Sequence, residues 1–241
     1  MDAALQDSIT HLLLEHEIGG DAELPYRLSF AAKGQSGASF GATQGDLNTN
    51  AACKPVFRKI LGQRGDVTGF SAARQAAVFA ALIGKPNPRD PFQDGGATIR
   101  AINQALGHAQ SRPQINAMDQ AQLAEVCAMV DGATAAAAEA GHALSPAGQV
   151  ALALYCNQFG APTTVKAWLR GEPVTLDGQP VPPAPAGQVG LESLLDYIGR
   201  TKYYRANPKN FQRFCAITRS FAANLPESPA IPGPAGPPVG V

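Results

Sequence analysis

Apolar residues recur at helical spacing along most of the chain. Leu5, Ile9, Leu12, Leu13 and His16 fall on one stripe of a first helix, which Asp2 can cap and which Gly19-Gly20 would end through left-handed backbone. Between Leu24 and Thr43 the pattern changes. Tyr26, Leu28 and Phe30 alternate in a stretch rich in glycine and serine, which predicts a small hairpin or a three-stranded sheet. Helical periodicity then returns. Asn48 or Thr49 is placed to cap a helix running to about residue 61, and Thr68 to cap another ending at Gly84-Lys85-Pro86. Prolines 86, 88 and 91 predict a loop, followed by helices over 95–109, 119–140 and 146–159, with Asp119 as a cap and Ser145-Pro146 as a helix start. Residues 165–170 form a short helix or turn. The proline-rich stretch 171–187 is an exposed loop with a small ribbon at 174–181. Two last helices, 189–204 and 207–224, carry Leu191, Leu194, Leu195 and Ile198, then Phe211, Phe214, Ile217 and Phe221. Residues 226–241, rich in proline and glycine, show no apolar periodicity and form a tail.

The expected fold is therefore mainly α (α+β). A single domain spans 1–225, with a hairpin lobe at 20–47 and a helical lobe at 48–225, and a 241-residue chain is long enough to bury such a core. Lys+Arg and Asp+Glu both number 19, so the formal net charge is zero, which argues against an electrostatic nucleic-acid binder. Cys53, Cys127, Cys156 and Cys215 lie far apart with no CxxC pair, and His11, His16, His108 and His142 show no ligand spacing. No metal or other cofactor is expected, and buried free thiols are the default. No apolar run reaches the roughly 18 residues of a membrane span. The N-terminus lacks a basic region and has the pattern of an amphipathic helix rather than a signal peptide. A secreted role would then require another export route, or a leader replaced by Met1. No oligomeric state is read from the chain.

Candidate chemistry concentrates in residues 15–46. Glu17 is the last charged residue before the double glycine, so it can project from the helix end. Shielding by Leu13, Ile18 and Phe40 would hold it protonated as a general acid. Glu15 is the competitor, turned roughly 200° around the helix. His16, on the apolar stripe, is expected to be buried and hydrogen-bonded. Asp46 is either a second carboxylate or the cap of the following helix, and Asp21 and Glu23 are alternatives for the second carboxylate. Ser36, Ser39 and Thr43 are either hydroxyls facing a sugar or turn residues. An acid at a helix end opposite a polar hairpin is one way to build a glycosidase cleft, where one carboxyl protonates the glycosidic oxygen. The run 34–45 lacks the Gly-Lys-Ser/Thr of a phosphate loop, and no Gly-x-Ser-x-Gly elbow occurs.

The segment His16-Glu17-Ile18-Gly19-Gly20, followed by Ser36-Gly37-Ala38-Ser39-Phe40-Gly41, resembles the His-Glu-Gly-Gly motif and glycine-rich hairpin of phage-type muramidases, with one inserted residue. Phe40-Gly41-Ala42-Thr43-Gln44-Gly45-Asp46 stands where goose-type lysozymes and lytic transglycosylases carry Gly-Leu-Met-Gln. The resemblance to the lysozyme superfamily implies a helical domain with a small sheet beside an active-site cleft. It implies Glu17 as the acid and Ser39, Phe40, Gln44 and Asp46 at the substrate. Ala153-Leu154-Tyr155-Cys156-Asn157-Gln158-Phe159-Gly160 is similar to the Ala-Tyr-Asn-x-Gly segment of lytic transglycosylases, which adds Tyr155 and Asn157 as substrate-binding residues. Tyr203, in Thr201-Lys202-Tyr203-Tyr204-Arg205, is a further candidate for sugar stacking.

The expected function is an endo-acting glycosidase, hydrolytic or lytic, with a polysaccharide as its partner. Peptidoglycan is the first substrate. Ala42-Thr43 in place of Leu-Met leaves chitosan or a β-glucan open. A glycan substrate puts its work outside the cytoplasm. The competing readings are a non-catalytic module binding a glycan or a partner protein, and a helical assembly protein.

Overall fold

The computed structural model describes residues 1–30, 36–86, 91–160 and 163–225, and helices dominate them. The tail expected at 226–241 lies outside the described residues. The described residues divide into two compact units, one within residues 9–128 and the other made of residues 1–8 with those within 129–225.

The chain opens with α1 (Ala3–Ile18), where Asp2 Oδ1 accepts from the Leu5 amide at 2.8 Å as the capping argument requires. Leu5, Ile9, Leu12 and Leu13 are buried, so the predicted stripe is the inward face. Gly19 (φ +56°) and Gly20 (φ +80°) stop the helix. Tyr26 does not begin a strand, because Leu24–Tyr26 is a single 3-10 turn with Pro25 in its first positions, where proline's fixed φ suits it. The sheet follows as β1 (Ser29–Phe30), β2 (Ala38–Phe40) and β3 (Gly45–Asp46). It is antiparallel in that order, with Ser29 and then Asp46 opposite Ser39.

Four helices come next: α2 (Cys53–Gln63), α3 (Gly65–Thr68), α4 (Ala72–Leu82) and α5 (Ala97–Gly107). Thr68 ends α3 instead of capping α4, and Ser71 is the cap, accepting from the Arg74 amide at 3.2 Å. The expected boundary between a hairpin lobe and a helical lobe near residue 48 falls inside one compact unit. Phe40 and Leu47 of the sheet region share a core with Phe57, Ile60, Leu61, Val78, Leu82, Ile102 and Leu106. Phe57 is its centre, with ring centroids 5.8 Å from Phe40 and 6.2 Å from Phe79.

The long α6 (Arg112–Glu139) begins seven residues before the predicted start, so Asp119 lies within it and caps nothing. Pro113 in its first turn marks the true start. Beyond it lie β4 (Ala143–Leu144), α7 (Pro146–Phe159), α8 (Thr163–Leu169), β5 (Thr175–Leu176), β6 (Gln179–Pro180) and β7 (Gln188–Val189). The unit ends with α9 (Leu191–Gly199), α10 (Lys202–Ala206) and α11 (Pro208–Ala222).

Ser145 caps α7 by accepting from the Gly148 amide at 3.0 Å, with Pro146 in the first position. Residues 148–154 of α7 are all buried, which is how a helix apolar on every side behaves. It packs against α9 and α11. The ribbon predicted at 174–181 forms as β5 and β6. A parallel bridge, Leu144 opposite Val189, joins β4 to β7; at two residues each these strands are too short for alternation to reveal. All four cysteines are buried, and none of them is in a disulfide. Among the described residues no helix is long and apolar enough to cross a membrane.

Candidate functional site

Glu17 sits in the last turn of α1. Its side chain keeps 19% of its exposure, and Oε1 lies 3.2 Å from Nδ1 of the half-buried His16. Glu15, two residues earlier, is exposed. Helix geometry separates the two carboxylates as expected: one faces water and the other is largely withdrawn from it. Adding a Cβ at Gly19 or Gly20 would meet nothing within 4 Å, so what requires glycine there is the left-handed turn and not space.

The small sheet gathers Ser39, Gln44 and Asp46. The Asp46 carboxylate is bound to its own neighbourhood: Oδ2 accepts from the Gly37 amide at 2.9 Å, and Oδ1 from the amides of Asn48 (2.6 Å) and Thr49 (3.2 Å). Those bonds tie the β2 strand entry to the turn leading into α2. Asp46 therefore fastens the turn ahead of α2 and does not cap that helix, whose N-cap is Ala52 with no side-chain cap bond. The Asn48 and Thr49 amides donate to it, and neither residue is the N-cap of α2. Gln44 holds a left-handed backbone (φ +51°); its Nε2 donates to Gly41 O at 2.9 Å, and its Oε1 accepts from the Ser29 hydroxyl. Ser39 is buried at the centre of the sheet. Phe40 is fully buried against Phe57, so its ring belongs to the core and not to a substrate face.

The turn between β2 and β3 is gripped by a residue with no local signal for this role. Asp119 of α6, 5% exposed, accepts from the Ala42 amide at 2.8 Å, the Thr43 amide at 3.2 Å and the Thr43 hydroxyl at 2.9 Å. Burial pushes its carboxyl above the usual carboxylate range, against the opposing pull of those three donors. Gly41 (φ +83°) makes the approach possible, since a Cβ there would stand 2.6 Å from Asp119 Oδ1. The partners are separated by 76 and 77 positions, which no helix or strand pattern reveals.

Asp21 and Glu23, the alternative second carboxylates, are exposed and ion-paired. The Glu23 amide, and then Arg27, hold Asp21 below the usual range. Arg112, bound through both nitrogens at 3.0 and 2.6 Å, does the same for Glu23. Arg112 also lies over the Tyr26 ring, 4.2 Å from its centroid. These pairs anchor the loop that follows the double glycine.

Tyr155, Asn157 and Tyr203 belong to the other unit. Tyr155 and Asn157 are half-buried on α7, and the Tyr155 ring centroid lies 5.0 Å from that of Phe159. Tyr203, on α10, is exposed, 5.1 Å from Phe159. Among the described residues no group of three or more His, Cys, Asp or Glu is arranged to hold a metal ion.

No protein-family model, no curated protein and no solved structure matches the chain.

Proposed function

We propose that the chain is an endo-acting glycosidase of lysozyme-like type, that it cleaves a polysaccharide, with peptidoglycan the substrate proposed first, and that Glu17 is its general acid. The observation that carries this reading is the state of Glu17: a carboxyl at a helix terminus, largely withdrawn from water, two residues before a left-handed double glycine. It lies in the same unit as a small polar sheet. In the proposed reaction Glu17 gives its proton to the glycosidic oxygen as the bond to the anomeric carbon breaks.

The commitment of Asp46 to three backbone amides favours a route with one working carboxyl, in which the substrate's own N-acetyl or hydroxyl group assists. In this reading Asp46 and Asp119 keep the sheet and its turn in shape, while Ser29, Ser39 and Gln44 supply its polar character. Incubating the protein with peptidoglycan, chitosan and neutral glucans and weighing the products by mass spectrometry tests the proposal. A product short of one water identifies the lytic route and a product with it the hydrolytic one. No cleavage of any of these glycans removes the enzyme reading in favour of a binding module.

A further inference from the structure

Among the described residues the exposed large hydrophobic side chains are Met1, Phe159 and Tyr203, at 38%, 40% and 43% exposure. Phe159 and Tyr203 stand together, with ring centroids 5.1 Å apart, in the unit that does not hold Glu17. They are held rigidly. Tyr204 is buried behind both, 5.6 Å from Phe159 and 5.1 Å from Tyr203, and its hydroxyl donates to Gln158 at 2.6 Å. Asn210 donates to the Tyr203 hydroxyl at 2.9 Å and Asn207 to its carbonyl at 2.8 Å. Two exposed rings fixed in this way cost little entropy on meeting a ligand.

The charge around them is one-sided. From residue 197 to 225 the chain carries Arg200, Lys202, Arg205, Lys209, Arg213 and Arg219, and no acidic residue. Asp196, Asp177 and Glu192 pair with Arg200, Arg205 and Arg219. Lys202, Lys209 and Arg213 are exposed and make no salt bridge among the described residues. Lys209 and Arg213 are one turn apart on α11, a like-charge spacing that slightly destabilises a helix. Asn210, which touches Tyr203, lies between them. Local stability gives no reason for this arrangement in a chain of zero net charge.

We propose that this ridge, Phe159 and Tyr203 with Lys202, Lys209 and Arg213, binds an anionic polysaccharide strand. The rings stack on sugar faces and the three cations meet carboxylates. Three cations are few for tracking a nucleic-acid backbone, which carries a charge at every nucleotide, whereas carboxylates on a glycan are spaced by whole sugars. The inference takes only its ligand class from the glycan reading above.

The test is calorimetric titration of the full chain with an oligo-hexuronate, its carboxyl-reduced neutral counterpart and a single-stranded oligonucleotide of similar length. The hexuronate binds, and the neutral sugar binds at least about tenfold more weakly. Tyr203→Ala, Phe159→Ala and the pair Lys209→Glu with Arg213→Glu each weaken hexuronate binding about tenfold, and added salt weakens it further. Tyr203→Phe keeps the ring and restores binding, and circular dichroism verifies that each variant is folded. The titration reads binding and not cleavage, so a failure of the catalytic reading leaves this result standing, and the reverse also holds. The proposal is overturned by absence of hexuronate binding, by equal binding of the neutral sugar, by tighter binding of the oligonucleotide, or by ring and charge variants that bind like the parent.

Discussion

Replacing Asp119 by alanine tests how the β2–β3 turn is held. The substitution leaves the Ala42 and Thr43 amides and the Thr43 hydroxyl without the acceptor they now share. An unmet buried donor costs about 1–3 kcal/mol, and removing a buried carboxylate returns part of that, so the expected net loss is about 2 kcal/mol. Urea unfolding measures it as a lower midpoint at unchanged slope. Asp119→Asn keeps the shape and removes the titration. Burial raises the folded-state pKa of Asp119 above its ordinary 3.8, so the folded chain binds that proton more tightly than the unfolded one. The resulting stability is fully present below 3.8 and is lost as pH rises through the folded value. The stability of the parent relative to Asp119→Asn therefore falls as pH is raised from below 3.8. An alanine variant within about 0.5 kcal/mol of the parent, or a difference that grows with pH, refutes the reasoning.

Gly41→Ala meets both a left-handed backbone and a Cβ site 2.7 Å from Met118 Cε. It should destabilise by about 2–4 kcal/mol, seen as a lower melting temperature. Ser145→Ala removes the acceptor of the Gly148 amide and should cost about 1 kcal/mol in the same assay. Burial pushes the Cys53 and Cys156 thiols up to about 12, so a thiol reagent at neutral pH should label neither until denaturant is added.

What the sequence disclosed follows from the range of each signal. The α1 stripe with its Asp2 cap, the Ser145-Pro146 start of α7 and the ribbon at 174–181 are encoded within a few residues, and they appear where the pattern puts them. The helix starts assigned to Thr68 and Asp119 failed because polar residues suited to capping also occur at helix ends and interiors, and only Ser71 and Pro113 mark the real starts. At the candidate site, the period of one helix made it legible that Glu15 and Glu17 face different sides of α1, and not which of the two is withdrawn from water. The grip of Asp119 on the turn was not, because it joins positions 76 and 77 residues apart. Phe40 and Asp46 show the limit of residue type as a guide, since an aromatic and a carboxylate in a glycine-rich hairpin serve a core and a turn as readily as a substrate.

Cleavage of peptidoglycan by the parent protein and by Glu17→Gln, followed as soluble product over time, bears most directly on the account. The amide keeps the size of the side chain and cannot give up a proton. The account predicts cleavage by the parent and a loss of about 10²–10⁴-fold in rate in the variant, with both proteins equally stable. A Glu17→Gln protein that cleaves at the parent's rate contradicts it.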